Sequence, residues 1–286
     1  MAGPAPTASR GLDPPFELVP GIGGPLFLSV PHSGRNYPAW LVERSRLGQQ
    51  SLETLEDPLV DQLVQRAIDR GAGAIIARAP RALIDLNRDP AELDPRAIIG
   101  RTGPAPTARA GAGLGLIPTR LAGTGDLWRG AIDEGDLVQR LAKVHRPYHD
   151  AIATRLSDLS RAHRQLVLLD CHSMPPRPCH EANVVLGNRH GTSAADWVLD
   201  LIEAVASRSG FSVARNRPFA GGHVVERHGR PRQGVHAVQI EIDRSAYCQR
   251  DMRTAGPGFD RVVRLFETLC ETLIVHLGDE FAEAAE

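Results

Sequence analysis

The 286-residue chain has no surplus of charge of either sign: thirty-three Lys and Arg stand against thirty-four Asp and Glu, a formal net charge of −1. That balance offers no basic surface for nucleic acid and no cationic face for an anionic membrane. No apolar run approaches the roughly 18 residues that read as a bilayer span, and the first residues lack the basic and apolar regions of a secretion signal. A cytoplasmic protein that engages neither membrane nor nucleic acid is expected. Cysteine is scarce: Cys171, Cys179, Cys248 and Cys270 form no C-x-x-C pair, which argues against a zinc knuckle or a disulfide framework and for reduced thiols. The run Gly111-Ala112-Gly113-Leu114-Gly115 lacks the Lys-Ser/Thr of a phosphate loop and the strand-turn-helix setting of a dinucleotide fingerprint. There is no internal repeat, and nothing in the sequence fixes an oligomeric state.

Glycine and proline are plentiful, twenty-eight and twenty-two residues, well above the usual combined share of roughly 12%, which points to many turns and long loops. Residues 1–15 form an Ala/Pro/Gly-rich stretch expected to be a flexible arm, and residues 16–280 a single catalytic domain. Two apolar runs end in the same way. Pro25-Leu26-Phe27-Leu28-Ser29-Val30 leads into Pro31-His32-Ser33-Gly34, and Leu166-Val167-Leu168-Leu169 leads into Asp170-Cys171-His172-Ser173. Both read as buried strands that deliver a histidine at their carboxyl ends. Asp57-Pro58 is expected to open a helix along Leu59, Val60, Leu63, Val64, Ala67 and Ile68, closed by Gly71. A strand from Ala74 to Ala79 follows. The long aperiodic segment from about Asp89 to Gly130 is expected to be a lid or binding loop beside the site. Further on, the pattern predicts a long helix from Leu137 to Leu159, kinked or stepped near Pro147. It also predicts strands near 183–186, 211–214 and 235–242, and helices over 193–207 and 259–277. Strands alternating with helices indicate one α/β domain with a mixed, mainly parallel sheet and helices on both faces.

In such a sheet, ligands sit outside the carboxyl ends of the strands. His32 and His172 are therefore candidate metal ligands, and a catalytic zinc takes three protein ligands plus water. Asp57 is the nearest acid at an element boundary and the candidate third ligand; as a plain helix N-cap it would leave that place to Glu56. Gln239-Ile240-Glu241-Ile242-Asp243 sends Gln239, Glu241 and Asp243 to one face of a strand. A carboxylate on a sheet interior is costly unless paired or used, which makes Glu241 a candidate general base. Arg81, Asn87, Arg88 and Arg189 offer planar donors for a carboxylate or carbonyl. Cys171 and His172 face opposite ways and cannot act as a thiol dyad. His223, after Gly221-Gly222, reads as a loop histidine.

Assembled, these stretches resemble the N-formylglutamate amidohydrolase family. The resemblance rests on Val30-Pro31-His32-Ser33-Gly34, Asp57 with Val60-Asp61, Ile84-Asp85-Leu86-Asn87-Arg88, Gly113-Leu114-Gly115-Leu116-Ile117-Pro118, His145-Arg146-Pro147-Tyr148-His149, Asp170-Cys171-His172-Ser173-Met174, Gly221-Gly222-His223 and Gln239-Ile240-Glu241. It implies a fold like that of the zinc carboxypeptidases, a single zinc, and hydrolysis of N-formyl-L-glutamate to formate and L-glutamate, a step of histidine breakdown. The substrate would be a small acidic N-acyl amino acid. By this resemblance His32 and His172 are zinc ligands, Glu241 is the catalytic glutamate, Arg81 polarises the carbonyl, and Asn87 with Arg88 grips a substrate carboxylate. The carboxypeptidase pattern has Glu three residues after the first histidine; Arg35 stands there, so Asp57 takes that place. A related deacylase or carboxypeptidase-like hydrolase, and a zinc-dependent binding protein with an inactive site, are the alternatives.

Overall fold

A computed structural model describes residues 14–283 apart from 104, 122, 124, 179 and 180. Most of the expected N-terminal arm, and Cys179, lie outside the described residues. The chain folds into two compact units, each drawn from separated segments. The first comprises residues 14–17, 31–56 and 77–150, and the second residues 18–30, 57–76 and 151–283.

The second unit is built on a seven-stranded sheet. Its strands are β1 (Phe16–Val19), β2 (Leu26–Val30), β3 (Gly73–Ala77), β6 (Leu166–Met174), β7 (Val184–Gly187), β8 (Val213–Arg215) and β9 (Val235–Asp243). A two-stranded ribbon of β4 (Arg120–Leu121) and β5 (Gly125–Asp126) belongs to the first unit. The sheet order is β1-β3-β2-β6-β9-β7-β8. β2 pairs in parallel with β3 and with β6, and β6 with β9; β7 runs antiparallel to β9 and parallel to β8. The mixed, mainly parallel sheet expected from the sequence is thus present. From β2 the chain moves outward to β3 and returns on the other side as β6, so the strand order reverses between β2 and β6. That reversal is where a crevice opens in open α/β sheets.

Alternation along the strands sorts the side chains. Leu26, Leu28, Val30, Val167, Leu169, Cys171, Ile240 and Ile242 share one buried core with Val60, Leu63, Val64 and Ala67, with Val198 and Ile202 of the helix Asp196–Arg208, and with Val262, Phe266 and Leu273 of the helix Phe259–Glu283. Ser29, Asp170, His172, Gln239 and Glu241 therefore point to the opposite face. There Gly222, at the start of the helix His223–His228, donates its N–H to Gln239 Oε1 at 2.8 Å, so helices lie on both faces. No helix among the described residues is long and apolar enough to cross a membrane.

One expectation is corrected, one is borne out in detail, and one strand was not foreseen. The helix placed at Asp57-Pro58 begins only at Val60, and Leu59 before it takes left-handed backbone, φ 64°. The N-cap position is Leu59, not Asp57. The long helix is interrupted by a π-turn over Leu141–His145, after Glu134–Arg140 and before Arg146–Leu159. The widened turn falls just ahead of Pro147, which has no N–H for the helical ladder. The strand β1 was not foreseen, because Phe16–Val19 lies at the sheet edge with its middle residues exposed and has no apolar run to announce it. In the first unit, residues 89–130 carry short elements, Pro95–Ala97 and Ala108–Gly111 besides the ribbon.

Candidate functional site

In the sheet unit, β6 ends by presenting Asp170 and His172 on one face, two residues apart. Both are buried. His172 bonds Asp170 Oδ2 through Nε2 and Asp57 Oδ2 through Nδ1, each at 2.9 Å. Asp170 also accepts from Ser29 Oγ at 2.8 Å, and Ser29 is its register partner on β2. Burial works against a charged imidazole, but Asp170, Asp57 and Glu241 outweigh it and hold the His172 pKa well above its ordinary value. Each ring nitrogen of His172 thus faces a carboxylate oxygen.

Glu241 lies directly across from His172 in the β6–β9 register. It is 8% exposed and accepts from Gln239 Nε2 at 2.7 Å. Gln239 is itself fixed, since its Oε1 receives the Gly222 N–H.

In the other unit, His32 repeats half of this arrangement. It is buried, and its Nε2 lies 2.7 Å from Asp85 Oδ1. Asp85 also receives Arg81 Nε at 2.9 Å and the Asn87 N–H at 2.9 Å. Burial would raise the Asp85 pKa, yet Arg81, His32 and Arg88 together hold it well below the usual carboxylate range. An ionised Asp85 only accepts, so His32 donates to it from Nε2. The turn carrying His32 presses on the strand-end loop: a side chain at Gly34 would meet the Ala79 carbonyl oxygen at 1.9 Å. The loop Asp85–Arg88 is gripped in turn by the helix bearing the π-turn, where His145 Nε2 reaches the Arg88 carbonyl and His149 Nε2 the Leu86 carbonyl, both at 2.9 Å.

Of the residues expected to act, the sheet unit brings together His172, Asp57 and Glu241, while the other unit brings together His32, Arg81, Asn87 and Arg88 around Asp85. Arg81 spends Nε on Asp85 and Nη1 on the Leu55 carbonyl. Arg88 is buried, with Nε on the Leu114 carbonyl and Nη1 on the Asn87 carbonyl, both 2.9 Å; the Gly-rich stretch is thereby tied to this loop. Arg189 stands apart from Glu241. It pairs with Glu226, and because β7 runs against β9, the loop after β7 meets β9 at Ala237, whose N–H donates to the Ser193 carbonyl at 2.8 Å. That is about 13 Å along the strand from Glu241. Glu56 accepts from Tyr37 Oη.

The residues not anticipated are the supporting acids and Arg244. Asp170 was detectable in principle, since an acid two residues before a strand-end histidine shares its face. Asp85 follows from no spacing. Arg244 donates from Nη2 to Asp57 Oδ1 at 3.2 Å and from Nε to Ser173 Oγ at 3.1 Å.

A histidine whose far nitrogen is held by a buried carboxylate is the usual setting of a metal-binding imidazole, because the carboxylate fixes ring orientation and raises ligand basicity. The donor set, imidazole nitrogen with carboxylate oxygen, suits zinc. The comparisons with known proteins identify the family. A family profile for N-formylglutamate amidohydrolase matches residues 24–248. The N-formylglutamate deformylases of Pseudomonas aeruginosa and Pseudomonas putida are each 31% identical, over 232 and 237 residues, covering 78% and 79% of this chain and 82% of each relative. The crystal structure of N-formylglutamate amidohydrolase from Ralstonia eutropha JMP134 is similar with a TM-score of 0.86 and 29% identity, covering 93% of this chain and 99% of that one. A gene product of Agrobacterium tumefaciens shares the fold at a TM-score of 0.68 and 17% identity, covering 96% and 99%. A profile match from β2 to the residue after Tyr247, spanning both histidines, Asp57, the Asp85–Arg88 loop and Glu241, places this chain in the N-formylglutamate amidohydrolase family.

Proposed function

We propose that this chain hydrolyses the formyl amide of N-formyl-L-glutamate, giving formate and L-glutamate, with one zinc ion held by His32, His172 and Asp57. The observation that carries the reading is the repeated carboxylate–histidine pair, Asp170 behind His172 and Asp85 behind His32. In both, Nε2 faces the acid behind the ring, and Nδ1 is the nitrogen assigned here to the metal. Chain connectivity supports the shared role: β2 and β6 are adjacent and parallel with Ser29 beside Asp170, and each histidine follows within three residues of that register point. When bound, zinc supplies a Lewis acid that acidifies water and polarises the formyl carbonyl.

The residues of the chain do the rest. Glu241, buried and held at one oxygen by Gln239, takes the proton of the attacking water and later delivers it to the nitrogen of the breaking amide. Arg81, kept in place by Asp85, supplies positive charge for the carbonyl oxygen as it becomes an oxyanion. Arg88 and Asn87 read a carboxylate of the small acidic substrate, and their loop is fixed from behind by His145, His149 and Leu114. Arg189, paired with Glu226, is a substrate contact only if that pair opens.

The test is metal analysis together with a panel of N-acyl amino acids. Wild type should carry about one zinc per chain and release formate from N-formylglutamate faster than it cleaves N-acetylglutamate or N-formylleucine. His172→Ala should lose both zinc and turnover, since two ligands are too few for a catalytic site. A zinc-replete His172→Ala variant would remove His172 from the ligand set. Preference for another acyl group would move the assignment to a related deacylase, and no turnover of any compound to a binding protein.

A further inference from the structure

Asp57 is not the N-cap of the helix that follows it. Leu59, two residues on, has left-handed backbone at φ 64°, a conformation a branched apolar residue adopts only when its surroundings impose it. The imposition comes from the turn after β9. Asp243 closes that turn by accepting from the Ser245 N–H and Oγ at 2.7 and 2.6 Å, and it accepts from the Arg177 N–H at 2.7 Å. The turn Arg244–Ala246 then reaches Asp57 in two ways. Tyr247, fully buried, donates its hydroxyl to the Pro58 carbonyl at 2.8 Å. Arg244 braces itself on Ser173 Oγ through Nε and donates Nη2 to Asp57 Oδ1. The two oxygens of Asp57 are thereby made unequal, with Oδ1 on Arg244 and Oδ2 on His172 Nδ1.

We propose that Arg244 is a positioning residue that engages Oδ1 of Asp57 and so presents the carboxylate to zinc through Oδ2 alone, with Tyr247 fixing the backbone of the same turn. This rests on the zinc reading above. A planar guanidinium anchored at Ser173 sets both the position and the rotation of the carboxylate, which an ammonium cannot do. Removing the arginine has two opposite consequences. Loss of a nearby positive charge favours a divalent cation, while loss of orientation lets Asp57 turn and offer both oxygens, expanding the coordination. Arg244→Lys keeps the charge and loses the fork; Arg244→Met loses both. If positioning is the role, both variants weaken zinc binding, by about 10- to 100-fold for a partner of a ligand.

The experiment measures zinc affinity by chelator competition and the visible absorption of the cobalt(II)-substituted protein, which weakens as coordination rises from four to five. Wild type, Arg244→Lys, Arg244→Met and Tyr247→Phe are compared, with circular dichroism confirming that each is folded. Both arginine variants should bind zinc less tightly and give weaker cobalt absorption, with Tyr247→Phe shifting both readouts the same way by less. Wild-type affinity and spectrum in Arg244→Lys, with tighter zinc in Arg244→Met, would show that Arg244 contributes charge alone and would overturn the proposal. Should Arg244→Met fail to fold, Arg244→Lys decides. A wild-type protein that takes up no zinc would sink the zinc reading and this inference with it, a result distinct from a zinc-loaded wild type with unaltered variants.

Discussion

Replacing Glu241 by Gln tests the chemistry with the least disturbance of the fold. Gln239 cannot turn its amide over, because its Oε1 is committed to the Gly222 N–H, so its NH₂ must meet an acceptor at position 241. A glutamine there will place its carbonyl oxygen where Glu241 Oε1 now sits, 2.7 Å from Gln239 Nε2, and turn its own NH₂ to the place of the other carboxylate oxygen. The substitution thus keeps shape and the internal hydrogen bond but converts an acceptor into a donor at the reacting position. General-base catalysis contributes roughly 10²–10⁴ in rate, which is about 3–5 kcal/mol of transition-state stabilisation. kcat should fall by that factor, while KM stays within about threefold because ground-state contacts are untouched. Zinc content should remain that of wild type. Formate release under saturating N-formylglutamate, with a parallel metal assay and a thermal melt, makes the measurement. Turnover within tenfold of wild type by a zinc-loaded, folded variant would refute Glu241 as the base, and Asp243 on the same face would be examined next.

Arg88→Lys should raise KM for N-formylglutamate about tenfold or more, because a charged bidentate contact is lost and lysine cannot also hold the Leu114 and Asn87 carbonyls. N-formylglutamine, lacking the side-chain charge, shows which carboxylate is read; a variant kinetically silent on both compounds would place the clamp elsewhere. For pH, His228 is the informative group: burial, reinforced by Arg227, His223 and Arg230, pulls its pKa down to about 3. The unfolded chain therefore binds a proton between that value and its own pKa of about 6.5 that the folded chain does not, so this contribution to stability is full above about 6.5 and declines as pH falls, by up to about 1.4 kcal/mol per pH unit. Urea midpoints should drop from about pH 7 to about pH 5, and His228→Gln should flatten the decline; identical slopes in the two proteins would show that His228 titrates normally when folded.

The central strands were legible because burial on both faces leaves a continuous apolar run. Leu166–Leu169 and Leu26–Val30 have no polar residue except Ser29, and Ser29 turned out to be bonded to Asp170. The face assignment of Glu241 and the separation of Cys171 from His172 followed from period-2 alternation alone, and both hold in the β6–β9 register. What alternation does not encode is strand direction. Arg189 follows a good strand as His172 does, but β7 is antiparallel to β9 and its last residue, Gly187, pairs with Gln239 in the middle of β9, so the loop beyond it runs toward the start of β9 while β6 and β9 end together. Nor does local sequence announce a contact that a distant turn imposes. Asp57-Pro58 carries an ordinary helix-start pattern, and in isolation Asp57 would cap a helix; tertiary bonds from Arg244, His172 and Tyr247 hold its turn elsewhere.

The same reasoning explains why the supporting acids were harder to find than the histidines. A strand-end histidine is conspicuous because so polar a ring rarely ends an apolar run, whereas Asp85 lies among Ala82, Leu83 and Ile84 in a loop with no period to assign it a face. Its role is visible only from its partners: four donors from His32, Arg81, Asn87 and Arg88 lie within 4 Å of one buried carboxylate. Burying an acid without compensation would cost several kcal/mol, and here the compensation comes from residues expected to bind metal and substrate. Asp85 therefore links the orientation of His32 to the placement of Arg81 and the Asn87–Arg88 loop. Its depressed pKa shows that this linkage is carried by an ionised carboxylate.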